Sequence, residues 1–240
     1  EWSQKWLLRF NSDKCSVMSI GNKEERYTYS MGGSILKCSH AEKDIGVIVD
    51  DNLSFESHIQ EKINKANSVM AIIRRTYVYL DQESFRYLFK ALVRPHLEYC
   101  NSVWRPHKVK HITAIENVQR RATKQLPGLG HLTYEQRLEK LKMPTLQMRR
   151  ERGDMIECYK ILKGVYDSKA TGNLLPLRND NTTRGNKYKL YKRRHKIALR
   201  KHFFSMRVVN KWNALPDAVV DAPSLNAFKR RLDRHWRYEP

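Results

Sequence analysis

The spacing of apolar residues changes near Asp50, and this change constrains the fold more than any other feature of the sequence. Before it, the segments CSVMSIG and YTYSMGGSILK have the alternating pattern of strands. Gly32-Gly33, in the middle of the second segment, predicts a hairpin turn. The apolar run at residues 45–49 predicts a further strand. Beyond Asp50, apolar residues recur about every 3.6 positions, which predicts helices. The predicted fold class is α+β, mostly α, with a small antiparallel β-hairpin region, a helical bundle and a basic helical C-terminal extension.

Three amphipathic helices are predicted between residues 55 and 126, because the apolar residues of each fall on one helical face. Asp81 is placed to cap the second helix, Pro95 to bend or break it, and Pro127-Gly128 to stop the third. The predicted buried faces are Ile59, Ile63, Ala66, Met70, Ile73 and Tyr77 for the first helix, Phe85, Leu88, Phe89, Leu92 and Val93 for the second, and Ile112, Ile115, Val118, Ala122 and Leu126 for the third.

The later part of the chain adds helices and one long irregular segment. Helices are predicted at about residues 134–141 and 145–163, and again at about 199–212 and 224–236. Between these pairs, residues 165–187 lose periodicity and fill with Asn, Thr, Gly and Pro, as loops do. The predicted organisation is a β-containing part at 1–50, a helical part at 51–165, a linker with a basic loop at 166–196 and a helical extension at 197–240.

The charge of the chain points to a polyanionic partner. Lys and Arg number 46 against 25 Asp and Glu, for a formal net charge of +21. Nucleic acid is favoured over a membrane surface, because the basic residues are interleaved with Tyr, Phe, Trp and Asn. No run of about 18 apolar residues predicts a transmembrane helix. We expect an intracellular protein, nuclear or cytoplasmic, with reduced and buried thiols at its four scattered cysteines.

Residues 181–216 contain neither Asp nor Glu, while Lys and Arg recur throughout. The alternative is a solvated basic face, but we favour contact with the phosphates of a nucleic acid, because like charges gathered in one segment repel one another. Phe203, Phe204 and Trp212 have helical spacing and are predicted to be core residues. A second basic group, Arg149 and Arg150, fits an exposed helical face and phosphate contact equally well.

The basic residues that we predict to contact phosphates fall into four groups. They are Lys62, Lys65, Arg74 and Arg75; Arg120, Arg121 and Lys124; Arg149 and Arg150; and Lys187, Lys189, Lys192, Arg193, Arg194, Lys196, Arg200 and Lys201.

Other chemistry finds little support in the sequence. The adjacent carboxylates Asp50 and Asp51 could suggest a metal site, but we expect them to end a strand and to cap the next helix. His107 and His111 share the i, i+4 spacing of zinc ligands, with no evident third ligand. No phosphate-binding loop or nucleophile elbow is present. We therefore predict no catalytic and no metal-binding residue in this chain.

Several blocks of the sequence occur in an order that is specific to one family. The blocks are WSQKWLLRFNSDKCSVM, EKDIGVIVDDNLSFESHI, KALVRPHLEYCNSVWRP, IENVQRRATKQLPGL, YEQRLEKLKMPTLQMRRERGDMIECYKIL and HFFSMRVVNKWNALPDAVVDAPSLNAFKRRLD. In this order they resemble the C-terminal part of reverse transcriptases from non-LTR (LINE-type) retrotransposons, most of all the jockey-like group. The resemblance covers nearly the whole chain.

The resemblance implies a place for each segment. Residues 1–50 resemble the end of a polymerase palm, residues 52–163 a helical thumb that grips template-primer, and the remainder the C-terminal extension. The family's Tyr-x-Asp-Asp motif would lie upstream of Glu1. Magnesium would be expected only with that missing palm, so no cofactor is expected here.

Two functions remain open from the sequence. The first is a nucleic-acid-binding fragment of an RNA-directed DNA polymerase that grips RNA, DNA or their hybrid and is inactive as an enzyme by itself. The second is a decayed or repurposed module that acts in protein interaction without specific nucleic-acid binding.

Overall fold

The structure, a computed structural model, describes residues 2–8, 10–21, 27–178 and 186–236. The chain divides into two compact units, Glu1–Glu61 and Lys62–Pro240. Short strands lie in the first unit and helices fill the second, which confirms the predicted α+β, mostly α class. Among the described residues, no helix combines the length and the apolar character that crossing a bilayer requires.

The first unit contains short paired strands and little buried core. Its elements are helix α1 (Trp2–Lys5), a 3-10 turn (Ser12–Lys14) and strands β1 (Ser16–Val17), β2 (Ser30–Met31), β3 (Ser34–Ile35), β4 (Lys37–Cys38), β5 (Ala41–Asp44) and β6 (Val47–Asp50). β2 and β3 pair in antiparallel register across Gly32 and Gly33, whose φ angles of 59° and 86° favour glycine. The predicted hairpin is thereby confirmed.

Two details of the β region differ from the sequence prediction. β1 and β4 pair in parallel, so the region is not wholly antiparallel. Ile45, predicted to begin a strand, lies instead with Gly46 in the turn between β5 and β6, and both residues have positive φ. The partner strand β5 has the sequence AEKD, and it escaped prediction because a largely exposed strand needs no alternating apolar pattern.

The Asp50 carboxylate joins the end of β6 to the start of the next helix. It accepts hydrogen bonds from the backbone N–H groups of Asn52, Ser54 and Phe55, at 3.2, 2.9 and 2.6 Å. Asp51 instead contacts Nδ1 of His40 at 2.7 Å. Asp50 therefore satisfies backbone donors at the entry to helix α2 (Glu56–Thr76), which is the capping role expected for it.

The first predicted helical face matches α2 except at its end. Ile59, Ile63, Ala66, Met70 and Ile73 are all buried, as predicted. Tyr77, predicted to continue the face, lies beyond the end of the helix and is 45% exposed. The 3.6-residue period identified the face but could not identify the residue at which the helix stops.

The second predicted helix is interrupted by a π turn. Helix α3 (Gln82–Leu88) begins at Asp81, whose carboxylate accepts from the N–H groups of Glu83 and Ser84, as predicted. A π-helical segment (Phe89–Val93) and helix α4 (Arg94–Glu98) follow. Fully buried apolar side chains recur here every four residues, at Phe85, Phe89, Val93 and Leu97.

The π turn explains why one predicted core residue is exposed. A straight α-helix rotates by about 40° beyond a full turn over four residues, so a four-residue repeat drifts away from its own face. A wider π turn within the repeat offsets this drift. Leu92, predicted to be buried, is consequently 47% exposed.

Of the remaining helices, those predicted at about 134–141, 145–163 and 224–236 are present, whereas the one predicted at about 199–212 is broken into a 3-10 turn and two short helices, and three further short helices of the described residues were not predicted. The elements that follow α4 are α5 (Asn101–Trp104), α6 (Val109–Lys124), α7 (Tyr134–Lys140), α8 (Leu146–Leu162), α9 (Ser168–Thr171), a 3-10 turn (Ala198–His202), α10 (Phe204–Arg207), α11 (Val209–Asn213), α12 (Asp217–Val220) and α13 (Leu225–Trp236). On α6, Ile115, Val118 and Ala122 are buried as predicted, and Ile112 is half-buried.

A buried carboxylate on α6 organises the start of α8. Glu116 accepts hydrogen bonds from the hydroxyl of Tyr134 at 2.5 Å and from the N–H groups of Leu146 and Gln147 at 3.1 and 3.2 Å. Burial, together with the charge of Glu116, raises the pKa of Tyr134, so the phenol stays a donor. Glu116 thus satisfies two N-terminal donors of α8 that the helix itself cannot.

The C-terminal helices share a hydrophobic core with α8. Trp212 and Phe228 pack with Tyr159, and the Tyr159 and Phe228 rings stack with centroids 4.4 Å apart. This confirms the prediction that Trp212 is a core residue, while Phe203 and Phe204 are half-buried. Of the four free cysteines, Cys158 lies in this core, but Cys38 is exposed, so the expectation that all thiols are buried was wrong.

One buried ion cluster fastens α8 to two other segments. The Asp154 carboxylate, 2% exposed, contacts Nη1 of Arg105 at 2.6 Å and both Nε and Nη2 of Arg207 at 2.9 Å. Arg207 also donates to the backbone carbonyls of Asn101 and Ser102. Arg105 has a second carboxylate partner in Glu151, at 3.2 Å, but Asp154 is the carboxylate that contacts both guanidinium groups. One of these groups precedes α6 in the chain, and the other lies on α10.

The first prediction concerns this cluster. Asp154→Asn preserves the shape of the side chain but leaves two partly buried guanidinium groups without their shared counter-charge. Because breaking a buried pair from one side is strongly destabilising, we expect the free energy of unfolding to fall by about 3–5 kcal/mol. Urea denaturation followed by far-UV circular dichroism measures this change.

Glu157→Gln on the same helix is the matched control. Its partner is Lys160 at 3.4 Å, and both side chains are more than a quarter exposed. We expect a loss below about 1 kcal/mol, as for other exposed pairs. Equal losses in the two variants would contradict the importance assigned to the Asp154 cluster.

A pair of stacked histidines joins the start of α6 to the 3-10 turn. The rings of His107 and His202 have centroids 4.3 Å apart and an interplanar angle of 20°. Burial lowers the pKa of His107, with further effects from Lys108, His111 and Lys201. Burial, His107, Lys201 and Arg207 lower the pKa of His202 in the same way. Both imidazoles therefore resist protonation in the folded chain.

The second prediction is that stability falls as this pair is acidified. Below the usual histidine pKa of 6.5, the unfolded chain binds more protons than the folded chain, so the free energy of unfolding decreases as pH is lowered. His202→Phe keeps an aromatic ring that cannot be protonated, and it should weaken this dependence. Urea denaturation at several pH values between about 5.5 and 7 measures the free energy of unfolding of both proteins. If this energy changed with pH equally in the wild type and in His202→Phe, the prediction would be contradicted.

Candidate nucleic-acid interface

The predicted basic residues of α2 lie mostly at its surface. Lys65, Arg74 and Arg75 are exposed, and Lys62 is half-buried. Burial, with the charges of Lys65 and Lys62, lowers the pKa of the neighbouring His96. The structure thereby brings Lys62 and Lys65 together with α4 in one electropositive region.

The three predicted residues of α6 lie within about one helical turn and are all exposed. The guanidinium of Arg120 lies 4.4 Å from the centroid of the Tyr134 ring, a cation-π contact that fixes its position. Arg121 donates to the carbonyl of Asn117 at 3.2 Å. No carboxylate among the described residues pairs with Arg120, Arg121 or Lys124, so their charge is available to an anion.

The predicted basic residues between Lys187 and Lys201 form more contacts with the rest of the fold at the start of this segment than at its end. Lys187 lies 2.9 Å from Asp221, whose carboxylate raises the pKa of the Lys187 ammonium. Lys189 is half-buried, and Lys192 donates to the side chain of Asn210 at 3.1 Å. The first part of the segment is therefore tied to the fold by its own side chains.

The second part of the segment is exposed and carries few structural contacts. Arg193 donates to the carbonyl of Asn173, and the Arg200 guanidinium lies 5.0 Å from the Phe203 ring centroid. Arg194, Lys196 and Lys201 are exposed, and none has a carboxylate partner within the described part of the chain. Since Lys201 lowers the pKa of His107, the end of this segment lies near the start of α6.

Arg149 and Arg150 do not present free cations to solvent. Arg149 forms a two-pronged ion pair with Glu98, with Nη2 and Oε2 2.9 Å apart. Arg150 is 2% exposed, and burial lowers its pKa to about 10. In this conformation the Arg150 guanidinium is out of reach of a phosphate. Its buried position fits neither of the two interpretations given above, an exposed helical face or phosphate contact.

Sequence reasoning missed a row of cations across the π turn. Burial and the charges of Arg94, Arg86 and Arg149 lower the pKa of Lys90, so these groups lie close together. Arg94 is partly compensated by Glu98 at 3.8 Å. The signal was present, because Arg86, Lys90 and Arg94 are spaced by four residues, which places them on one helical face.

The described residues contain no group of three or more His, Cys, Asp or Glu side chains that could hold a metal ion. His107 and His111, the pair with zinc-ligand spacing, thus acquire no third ligand there. What the basic surfaces can do chemically is to bind anions through charge-assisted hydrogen bonds, most simply the phosphates of a polymer.

The chain is similar to part of two curated polymerases. It is 28% identical over 136 residues to the RNA-directed DNA polymerase from mobile element jockey of Drosophila funebris, covering 53% of this chain and 14% of that protein. It is 22% identical over 153 residues to the polymerase of the same name from Drosophila melanogaster, covering 61% of this chain and 16% of that protein. The matched region is therefore a small part of each relative.

No protein-family model matches the chain, and no solved structure matches it significantly. The two polymerases agree with the family indicated by the ordered sequence blocks, which are distributed along nearly the whole chain. The chain is thus a relative of part of the reverse transcriptases of jockey-like, non-LTR retrotransposons.

Proposed function

We propose that this chain is a nucleic-acid-binding fragment of a retrotransposon RNA-directed DNA polymerase, which grips template-primer through a helical thumb and a basic extension. The observation that carries the proposal is the set of exposed cations without carboxylate partners among the described residues. They are Lys65, Arg74 and Arg75 of α2, Arg120, Arg121 and Lys124 of α6, and Arg193, Arg194, Lys196, Arg200 and Lys201. The relationship to jockey polymerases supports nucleic acid as the polyanion.

The way in which the chain uses its carboxylates favours the same function. Asp154 and Glu116 are buried, and Asp50 caps a helix, so these anions serve the fold itself. Cations outnumber them at the surface, and a cationic surface repels itself unless an anion covers it. Phosphate contacts from Lys and Arg position a nucleic acid without reading its sequence. We therefore expect largely sequence-independent binding to an RNA/DNA hybrid.

The third prediction is that binding is steeply salt-dependent and depends on particular cations. A labelled RNA/DNA hybrid is titrated with the chain at two salt concentrations, and fluorescence anisotropy reports the affinity. The triple variant Arg194→Gln, Lys196→Gln, Lys201→Gln should bind more weakly. Its slope of log affinity against log salt should be smaller by up to about 3, because each lost phosphate contact removes nearly one unit.

A second triple variant separates an assembled interface from net charge. Lys160→Gln, Lys163→Gln, Lys211→Gln removes the same charge, but from lysines whose ammonium groups already lie near Glu157, Asp221 and Glu151. We expect this variant to keep most of the affinity. Equal weakening in the two triple variants would show attraction by net charge alone. Absence of binding at low salt, by a chain shown to be folded, would instead favour a module that acts in protein interaction.

A further inference from the structure

The loop between α2 and α3 exposes large side chains that a folded chain ordinarily buries. Tyr77 is 45% exposed, Val78 84% and Tyr79 93%. Ten residues further along, Tyr87 on α3 is 60% exposed. A solvent-exposed apolar cluster of this kind is commonly an interaction site.

The residues around this loop are predominantly cationic. Arg74 and Arg75 occupy the last turn of α2 and are exposed. On α3, the guanidinium of Arg86 lies 5.6 Å from the centroid of the Tyr87 ring. The partner of such a surface must therefore suit both aromatic rings and positive charge.

The acidic residues of the segment offset only part of this charge. The Asp81 carboxylate accepts hydrogen bonds from the N–H groups of Glu83 and Ser84 and from the Ser84 hydroxyl, at 2.8, 2.9 and 2.8 Å. These bonds lower the pKa of Asp81, so its carboxylate stays ionised where it caps the start of α3. Glu83 is the other carboxylate between residues 74 and 90, a stretch that contains four Lys and Arg residues.

We propose that Tyr77 and Tyr79, flanked by Arg74, Arg75 and Arg86, form a stacking site for unpaired bases of single-stranded nucleic acid. This inference rests on the proposed function and names the form of nucleic acid that one part of the surface binds. Exposed rings stack on bases of any sequence, while the neighbouring guanidinium groups contact the phosphates on either side.

The geometry favours single strands over duplexes at this position. In a duplex, the base faces are covered by their neighbours in the stack, so an exposed tyrosine finds only edges and backbone. An unpaired base offers its whole face. The arginines of α2 and α3 can contact the phosphates of a single strand or of a duplex, whereas the rings of Tyr77 and Tyr79 can stack only on the bases of a single strand.

The fourth prediction compares two ligands. The double variant Tyr77→Ala, Tyr79→Ala should lose about 10-fold or more in affinity for a labelled single-stranded oligonucleotide, because stacking on one ring contributes about 5- to 150-fold. Its affinity for an RNA/DNA hybrid of the same length should change less than about twofold, because phosphate contacts dominate there. Fluorescence anisotropy at low salt measures both.

Two control variants isolate the ring. Tyr77→Phe, Tyr79→Phe keeps both aromatic faces and should bind the single strand as the wild type does. Val78→Ala removes an 84% exposed apolar side chain from the same loop without touching a ring, and it should have no effect. Circular dichroism verifies that all variants fold, as expected for changes at exposed positions.

The outcomes separate this inference from the proposed function. Selective loss of single-strand binding in the alanine variant, with rescue by phenylalanine, supports the stacking site. Equal loss for the two ligands, no loss for the single strand, or loss in the phenylalanine variant overturns it. The proposed function is tested separately by the wild type, since its binding to the hybrid does not depend on the stacking site.

Discussion

The helical unit depends on the burial of one carboxylate among three segments. Asp154 lies on α8, and the arginines that contact it, Arg105 and Arg207, are 49 and 53 residues away along the chain. A chain of net charge +21 has strong self-repulsion to overcome before it can bring such segments together. An anion at the point of convergence offsets this repulsion where it would otherwise be greatest, with water largely excluded. The apolar core around Trp212 can then pack against other residues of α8, among them Tyr159.

This use of carboxylates divides the charged residues by role. The acidic residues that stabilise the fold most directly have one of two roles: some cap a helix, as Asp50 does, and others compensate buried cations, as Asp154 does. Many cations, such as Lys124 and Lys196, take part in no such contact among the described residues and are exposed at the surface. The composition alone suggests a polyanion as partner, and in the described part of the chain exposed cations lie on α2, on α6 and at residues 193–201. In the proposed function, affinity for nucleic acid rests on these surface cations and stability of the fold rests on the buried and capping carboxylates, so we expect the two properties to change separately.

Sequence patterns predicted the helices and their buried faces well, because burial of an apolar face leaves a periodic signal. They failed where no such signal exists. The strand β5 is charged and exposed, and the end of α2 before Tyr77 has no sharp stop signal. Arg149 and Arg150 are adjacent in sequence, yet one pairs with Glu98 and the other is buried, a difference decided by tertiary packing. The phosphate contacts named from the sequence stay a prediction, and the structure adds a row of cations through Lys90 that the sequence analysis did not single out.

The position of Cys158 gives this fold a built-in reporter. Its thiol is fully buried beside Tyr159 in the core shared by α8 and the C-terminal helices, and burial, with the nearby charge of Asp154, raises its pKa well above the ordinary value. Thiol reagents attack the thiolate, and they must also reach it. Alkylation of Cys158 therefore requires the core to open, whereas the exposed Cys38 can react without any opening. Once each rate is divided by that of the same thiol in the unfolded chain, the ratio of the two rates reports the fraction of native molecules in which α8 and the C-terminal helices have separated.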